Sequence, residues 1–409
     1  MNGRAALALL VFALIAKDSR AQDNLSVFLV DPDVGYVGGG TGFNSESPGT
    51  TILKTADAGL TWSPQTSGAH NSIHSLYFIN PDTGWAVGWN PIFKTVDGGS
   101  HWIPVAPGTG EFYYSVFFLN ADTGWVVGNN TLMKTGDGGG SWNAQPIADC
   151  CDSGYTLNSI RFTGADTGYA VGSSYIGIDW GYYRPPAGLI LKTTDAGATW
   201  HSQINGIANT LNSVSFGNAD TGWAVGDSGL ILHTDNGGKD WVGQSGGTFN
   251  NLRSVCFQGT RIGWAVGDSG TILKTGDGGA HWIPQPGITG NNLRSVFLLN
   301  PNTGMIAGDS NTLLTIHQGA LPIAAPAGFT GSRFSLEHGV IRYSLPRLAR
   351  IKAVLYGTDG KMKRRIFDGV QGPGEHTLDL SALNAPSGIY LLEFTGGHIL
   401  RRTRIVFIP

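Results

Sequence analysis

This sequence predicts an all-β chain: a seven-bladed β-propeller followed by a small, immunoglobulin-like C-terminal β-sandwich. Three observations predict it. Gly followed by an aromatic residue or Met returns seven times just after an apolar stretch, at Gly35-Tyr36, Gly84-Trp85, Gly124-Trp125, Gly168-Tyr169, Gly222-Trp223, Gly263-Trp264 and Gly304-Met305. The spacings of 49, 40, 44, 54, 41 and 41 residues describe one unit repeated with two insertions, in the range where several short strands per unit build propeller blades. Beyond Ser332 the pattern changes to alternating strands without Trp. The 62 Gly among 409 residues, with only 13% charged residues, suit many tight turns between buried strands.

Residues 1–21 read as a secretory signal. Arg4 supplies the positive start, Ala5 to Ala16 is apolar, and Ser19-Arg20-Ala21 ends in a small residue suited to cleavage. The apolar run is too short to span a bilayer, and no other stretch is a transmembrane candidate. Residues 22–319 form the propeller, 320–332 a Pro/Ala/Gly-rich linker and 333–409 the second domain. From Gly331 onward there are 12 Lys/Arg and 6 Asp/Glu, a net of +6, which leaves 14 basic and 23 acidic residues before it, a net of −9. The acidic propeller gives no support for nucleic-acid binding.

Each unit opens with a strand of the form apolar-x-Ser-apolar-x-apolar, as in Leu211-Asn-Ser-Val-Ser-Phe216. A turn such as Asn80-Pro-Asp-Thr83 leads into the Gly-Trp strand. Gly-Asp-Ser-Gly at 226–229 and 267–270 is a tight hairpin turn whose residues tolerate positive φ. A short third strand and a fourth beginning at a Trp complete the unit. In the seventh, Thr315-Ile-His-Gln-Gly319 lacks both Asp and Trp, so its outer strand is expected near Leu321 to Ala325. Cys150, Cys151 and Cys256 make no disulfide framework. They read as small, half-buried thiols, with a redox role for Cys150-Cys151 as the alternative.

Between the third and fourth strands, Thr55-Ala-Asp57-Ala-Gly59-Leu-Thr61-Trp62 recurs around Asp97, Asp137, Asp195 and Asp277, with Asn236 in the Asp position of one copy. It resembles the Asp-box of bacterial neuraminidase repeats. Its chemistry is local: the carboxylate accepts backbone N–H groups, Gly takes the left-handed conformation and Trp wedges between blades. These six residues are therefore read as structural. With Gly-Trp-Ala-Val-Gly, the repeat from about Asn24 to Gly319 is similar to that of the propellers named for photosystem II assembly and stability factors. In the tail, Tyr356-x-x-x-Gly-Lys361, Gly374-x-His376, Ser387-Gly-Ile-Tyr390 and a basic last strand resemble a type IX secretion sorting domain. That resemblance implies the type IX machinery as a partner and delivery to the outer-membrane surface or medium of a Gram-negative bacterium. A generic immunoglobulin-like module is the alternative. Lys361, Lys363, Arg364, Arg365, Arg401, Arg402 and Arg404 then form a solvated or transporter-facing surface.

Little in the propeller supports catalysis. Residues 22–320 hold five arginines, Arg161, Arg184, Arg253, Arg261 and Arg294, and two glutamates, Glu46 and Glu111. A sialidase needs an arginine cluster, and a glycosidase two carboxylates at a set separation. No metal-spaced His/Cys cluster, nucleophile elbow or phosphate loop occurs, so no catalytic residue, metal or cofactor is expected. A sialidase-like glycoside hydrolase is the runner-up to a binding module, and a scaffold for an envelope complex is the third reading. Of 12 Trp, only Trp89 and Trp180 belong to neither repeat motif. Both lie between second and third strands, Trp180 in a long insert with Tyr175, Tyr182, Tyr183 and Arg184. The residue before each first-strand Ser falls near the same rim: Leu25, His74, Tyr114, Asn158, Asn212, Arg253 and Arg294. Aromatics beside Arg and Asn suit a glycan or protein ligand. The candidate ligand-binding set is Trp180, Tyr182, Tyr183, Arg184, Tyr175, Trp89, His74, Tyr114, Arg253 and Arg294.

Overall fold

The computed structural model describes residues 10–12, 23–40, 52–59, 61–65, 72–89, 92–105, 111–151, 154–175, 187–203, 207–285, 289–317, 334–337, 340–345, 349–357, 361–371, 374–380, 388–396 and 399–407. The chain divides into two compact units, Ile15–Asn300 with Met305–Thr312, and Met1–Leu14 with Pro301–Gly304 and Leu313–Pro409. The described elements are strands apart from two single 3-10 turns, Asp227–Gly229 and Asp268–Gly270.

The first unit holds six four-stranded antiparallel sheets, each in chain order from its innermost strand outward. In the second sheet the strands are Ile73–Phe78, Gly84–Gly88, Phe93–Thr95 and Ile103–Pro104. The Gly-Trp strand is buried at every position, which is why it reads as a continuous apolar run rather than an alternating one. Outermost strands are two or three residues long, and those at Ser63–Pro64, Ile103–Pro104 and Ile283–Pro284 end in Pro. A short edge with no free N–H at its last position discourages further pairing. Leu293–Asn300 repeats the innermost strand a seventh time.

The first-strand serines join these inner strands into a closed ring. The Oγ of Ser26 accepts the N–H of Leu76 at 3.2 Å, Ser75 that of Val116 at 3.3 Å, Ser115 that of Ile160 at 3.3 Å and Ser159 that of Val214 at 3.3 Å. Ser213 accepts from Val255 at 3.2 Å, Ser254 from Val296 at 3.1 Å, and Ser295 returns to Val27 at 3.2 Å. Seven hydroxyls thus satisfy seven inward-facing backbone donors around a central channel.

Between neighbouring sheets the wedge is the aromatic residue of the Gly-Trp pair. Trp85 stacks on Phe118 with centroids 3.5 Å apart, Trp223 on Phe257 at 3.4 Å and Tyr36 on Phe78 at 4.1 Å. The Asp-box Trp, expected to fill that role, instead meets the same Phe edge-on within its own sheet, as Trp142 does Phe118 at 86°. Trp85 Nε1 and Lys94 Nζ both donate to Gly138 O of the next sheet's turn, at 3.1 and 3.0 Å. The glycine of the pair makes room for the Phe ring: a Cβ on Gly124 would lie 2.5 Å from Phe118.

In the second unit, Phe334–Glu337, Val340–Leu345 and Gly374–Asp379 form a three-stranded sheet. Ala349–Gly357, Met362–Gln371, Gly388–Gly396 and Ile399–Phe407 form another run of neighbours. Ile341 and Tyr343 from the first share a fully buried core with Ile351, Leu355, Leu392 and Phe394 from the second. The basic stretch 361–365 is exposed and mostly within a strand. The side chains of Arg401, Arg402 and Arg404 lie outside the described set. Leu10–Phe12, within the segment expected to be cleaved, pairs with Thr312–His317 and with Ile399–Phe407. The outer strand expected at 321–325 and the linker lie outside the described residues. Among the described residues, no helix is long and apolar enough to cross a membrane.

Candidate functional site

In six of the seven inner strands the variable position before the serine is a β-bulge. Register shifts fall between Asn24 and Ser26, Ile73 and Ser75, Tyr113 and Ser115, Leu157 and Ser159, Leu211 and Ser213, and Leu252 and Ser254. A bulged residue is released from the ladder and its side chain re-aimed. Leu25, His74, Asn158, Asn212, Arg253 and Arg294 line the channel, a cavity of about 150 Å³. Tyr114 lies beside His74, ring centroids 5.4 Å apart. Burial pushes the His74 imidazole pKa down and the Tyr114 phenol up, so both stay neutral near pH 7.

The two arginines of this position are each paired with a carboxylate. Arg253 Nε and Nη2 meet Asp268 Oδ1 and Oδ2 at 2.9 and 2.8 Å, and Nη1 lies 3.6 Å from Asp227. Arg294 makes the same fork with Asp309, at 2.7 and 2.9 Å. Asn212 Nδ2 donates to Asp227 Oδ1 at 2.9 Å. Burial alone would raise the Asp268 carboxyl, but hydrogen bonds and charge from Arg253 outweigh it and hold it below the usual range. The hydrogen bond from Arg294 to Asp309 raises the Arg294 guanidinium. The Asp of Gly-Asp-Ser-Gly is thus both a turn residue and the partner of the bulge residue fifteen positions earlier. That constant spacing, in three consecutive units, was the available signal. The turn itself is as expected, with φ at 57° for Ser228 and 73° for Gly229.

Exposed aromatics stand in the connections at the sheet ends where the inner strands begin. Trp89 is 37% exposed and stacks on Phe112 at 5.5 Å; Tyr175 is 42% exposed, its hydroxyl 3.0 Å from Thr156 Oγ1. Phe249, not singled out by the repeat because it carries no motif, is 92% exposed, and a Cβ on Gly229 would sit 3.4 Å from its Cα. Trp180, Tyr182, Tyr183 and Arg184 lie outside the described residues. Near Tyr175 the adjacent cysteines are joined: Cys150 and Cys151 form a disulfide, a correction to their reading as small thiols, and Cys256 stays free. Cys151 takes a left-handed φ of 81° and its carbonyl accepts Gly154 N–H at 2.9 Å, the turn that accompanies the pairing.

The Asp-box residues lie at the other end of the sheets and behave as turn clamps. Asp137 Oδ1 accepts Thr135 Oγ1 at 2.8 Å and Ser141 N–H at 2.9 Å, while Oδ2 accepts Ser141 Oγ at 2.7 Å. Asp57, Asp97, Asp195 and Asp277 repeat the pattern. Asn236 replaces it with an amide, accepting Asp240 N–H at 3.0 Å. Backbone and side-chain hydrogen bonds from residue i+4 pull Asp97, Asp137 and Asp277 down to about 2. Among the described residues no three His, Cys, Asp or Glu side chains group as a metal site would require.

Sheets arranged about a channel closed by seven inner strands define the class: this is a β-propeller. The sequence model of the family described as the photosynthesis system II assembly factor YCF48 matches residues 103–181 and 175–246. YCF48 bound to a D1 peptide is structurally similar, with a TM-score of 0.58 and 18% identity over 78% of this chain and 99% of that one. YCF48 from Cyanidioschyzon merolae matches with a TM-score of 0.58 and 18% identity over 76% and 98%. The GH74 xyloglucanase from Xanthomonas campestris matches with a TM-score of 0.55 and 11% identity over 76% of this chain and 53% of that one. No curated protein matches significantly. At these identities the likeness is one of fold.

Proposed function

We propose that this chain is an exported, non-enzymatic, seven-bladed propeller that binds a protein partner at the face bearing Trp89, Tyr175 and Phe249. The observation that carries the reading is the exposure of these three aromatics in connections at the sheet ends where the inner strands begin. Exposed aromatics anchor interfaces because they bury a large area at low conformational cost. The structural neighbour that holds a D1 peptide supports a protein rather than a glycan ligand. The hydrolase alternative loses support because Asp268 and Asp309 are engaged by arginines rather than facing one another across a cleft. The C-terminal unit is proposed as an immunoglobulin-like type IX sorting domain, with the protein delivered to the outer-membrane surface or beyond.

The test is a peptide and glycan array probed with the full chain, beside Trp89→Ala and Phe249→Ala. Each variant should lose about 2 kcal/mol of binding to whatever ligand is found, with unchanged melting. Equal binding by wild type and both variants would refute this face. Turnover of fluorogenic glycosides would refute the non-enzymatic reading. Whole-cell surface labelling of a 331–409 deletion checks the sorting assignment: surface arrival of the truncated protein would end it.

A further inference from the structure

Two residues beyond each latch serine, the inner strands carry a second layer: Phe28, Tyr77, Phe117, Arg161, Ser215, Cys256 and Phe297, of which Phe117 and Ser215 are buried. Phe297, Phe28, Tyr77 and Phe117 form a continuous arc, with centroid separations of 4.6, 5.5 and 5.0 Å. Arg161 ends the arc, its guanidinium carbon 5.7 Å from the Phe117 centroid. Ser215 and Cys256 continue the layer with small side chains. Phe28, Tyr77, Arg161, Cys256 and Phe297 all line the channel.

Arg161 differs from the channel's other arginines. It is half-buried, yet among the described residues it has no ion pair or hydrogen bond, only the cation–π contact. Arg253 and Arg294, in the layer above, are each forked onto a carboxylate. A guanidinium carries five donors in a planar fork that matches a carboxylate. Phe28, Tyr77 and Phe297 are likewise only half-buried, and they line the same channel as Arg161. Burial pushes the Cys256 thiol up, so no thiolate competes for the charge.

We propose that this layer binds a small carboxylate with an apolar body, the carboxylate on Arg161 and the body against the Phe28, Tyr77 and Phe297 rings. The site is deeper than the partner-binding face and does not depend on it. Phenylacetate titrated into the full chain by calorimetry is the probe, with phenylacetamide as its uncharged counterpart and inorganic phosphate as an anion without the apolar body. Phenylacetate should bind at least about tenfold more tightly than either, since a charge-assisted fork is lost in one and ring contact in the other. Arg161→Gln should lower phenylacetate affinity by about tenfold or more, and Arg161→Lys by less. Phenylacetate should also slow alkylation of Cys256, the chain's free thiol, which places the ligand in the channel without any substitution. No phenylacetate binding, equal affinity for the amide, or an unprotected Cys256 would each overturn the proposal. Phosphate binding as tightly as phenylacetate would overturn the apolar half of it.

Discussion

Arg253→Met separates the two roles that a channel arginine could have. The substitution removes the 2.9 and 2.8 Å bonds to Asp268 and the 3.6 Å contact with Asp227, while keeping an unbranched side chain of similar reach. The Arg253 and Asp268 side chains are 29% and 22% exposed. Severing a fully buried pair costs about 3–5 kcal/mol, and an exposed pair is worth no more than about 1 kcal/mol. Asn251 still donates to Asp268 at 3.0 Å in the variant, so a loss of about 2 kcal/mol is expected, between those limits. The assay is urea unfolding of the full chain, run for Arg253→Met, Asp268→Asn and the double variant. The double variant should lose less than the sum of the singles, because the second change removes a carboxylate already left unpaired. Asp268 has a depressed pKa in the fold, so its contribution is complete above the unfolded value, near 4, and fades as pH falls through the folded one. If Arg253→Met unfolds like wild type and only weakens ligand binding, the arginine faces a ligand and the structural assignment is wrong.

Four further outcomes rest on other contacts of the fold. Asp137→Asn should keep the fold at pH 7, since Asn236 performs the same clamp with an amide, and should flatten the loss of melting temperature between about pH 4 and 2 that the depressed carboxyl gives wild type; an unchanged acid slope would count against the clamp. Trp85→Ala should cost about 3–5 kcal/mol in urea unfolding, and Gly124→Ala about 1–3 kcal/mol, through loss of the stack on Phe118 and a Cβ forced into that ring, respectively. Thiol titration of the unfolded, unreduced protein should count one thiol, rising to three after reduction; three before reduction would refute the Cys150–Cys151 pairing.

The sequence by itself determined what depends on local chemistry. Asx turns such as Asn80 accepting Thr83 N–H at 2.7 Å and the Asp-box clamps act within about five residues, so their spacing announces them, and the Gly-aromatic pairs are announced by their recurrence. In the second unit the alternating pattern expected beyond Ser332 corresponds to strands such as Val340–Leu345 and Gly388–Gly396. The tertiary structure alone decided what side chains do across neighbouring units. Ser254 is an ordinary strand serine until the next inner strand, 42 residues on, brings Val296 N–H to it. Arg253 and Arg294 by themselves carry no sign in the sequence of the Asp in its own hairpin that each is forked onto. Arg161 gains its meaning only as the one charged member of a layer drawn from seven strands. A repeat specifies each unit's hydrogen bonds locally, but closing the ring sets which directions face a neighbour and which face the channel, and charge and function at this site depend on those directions.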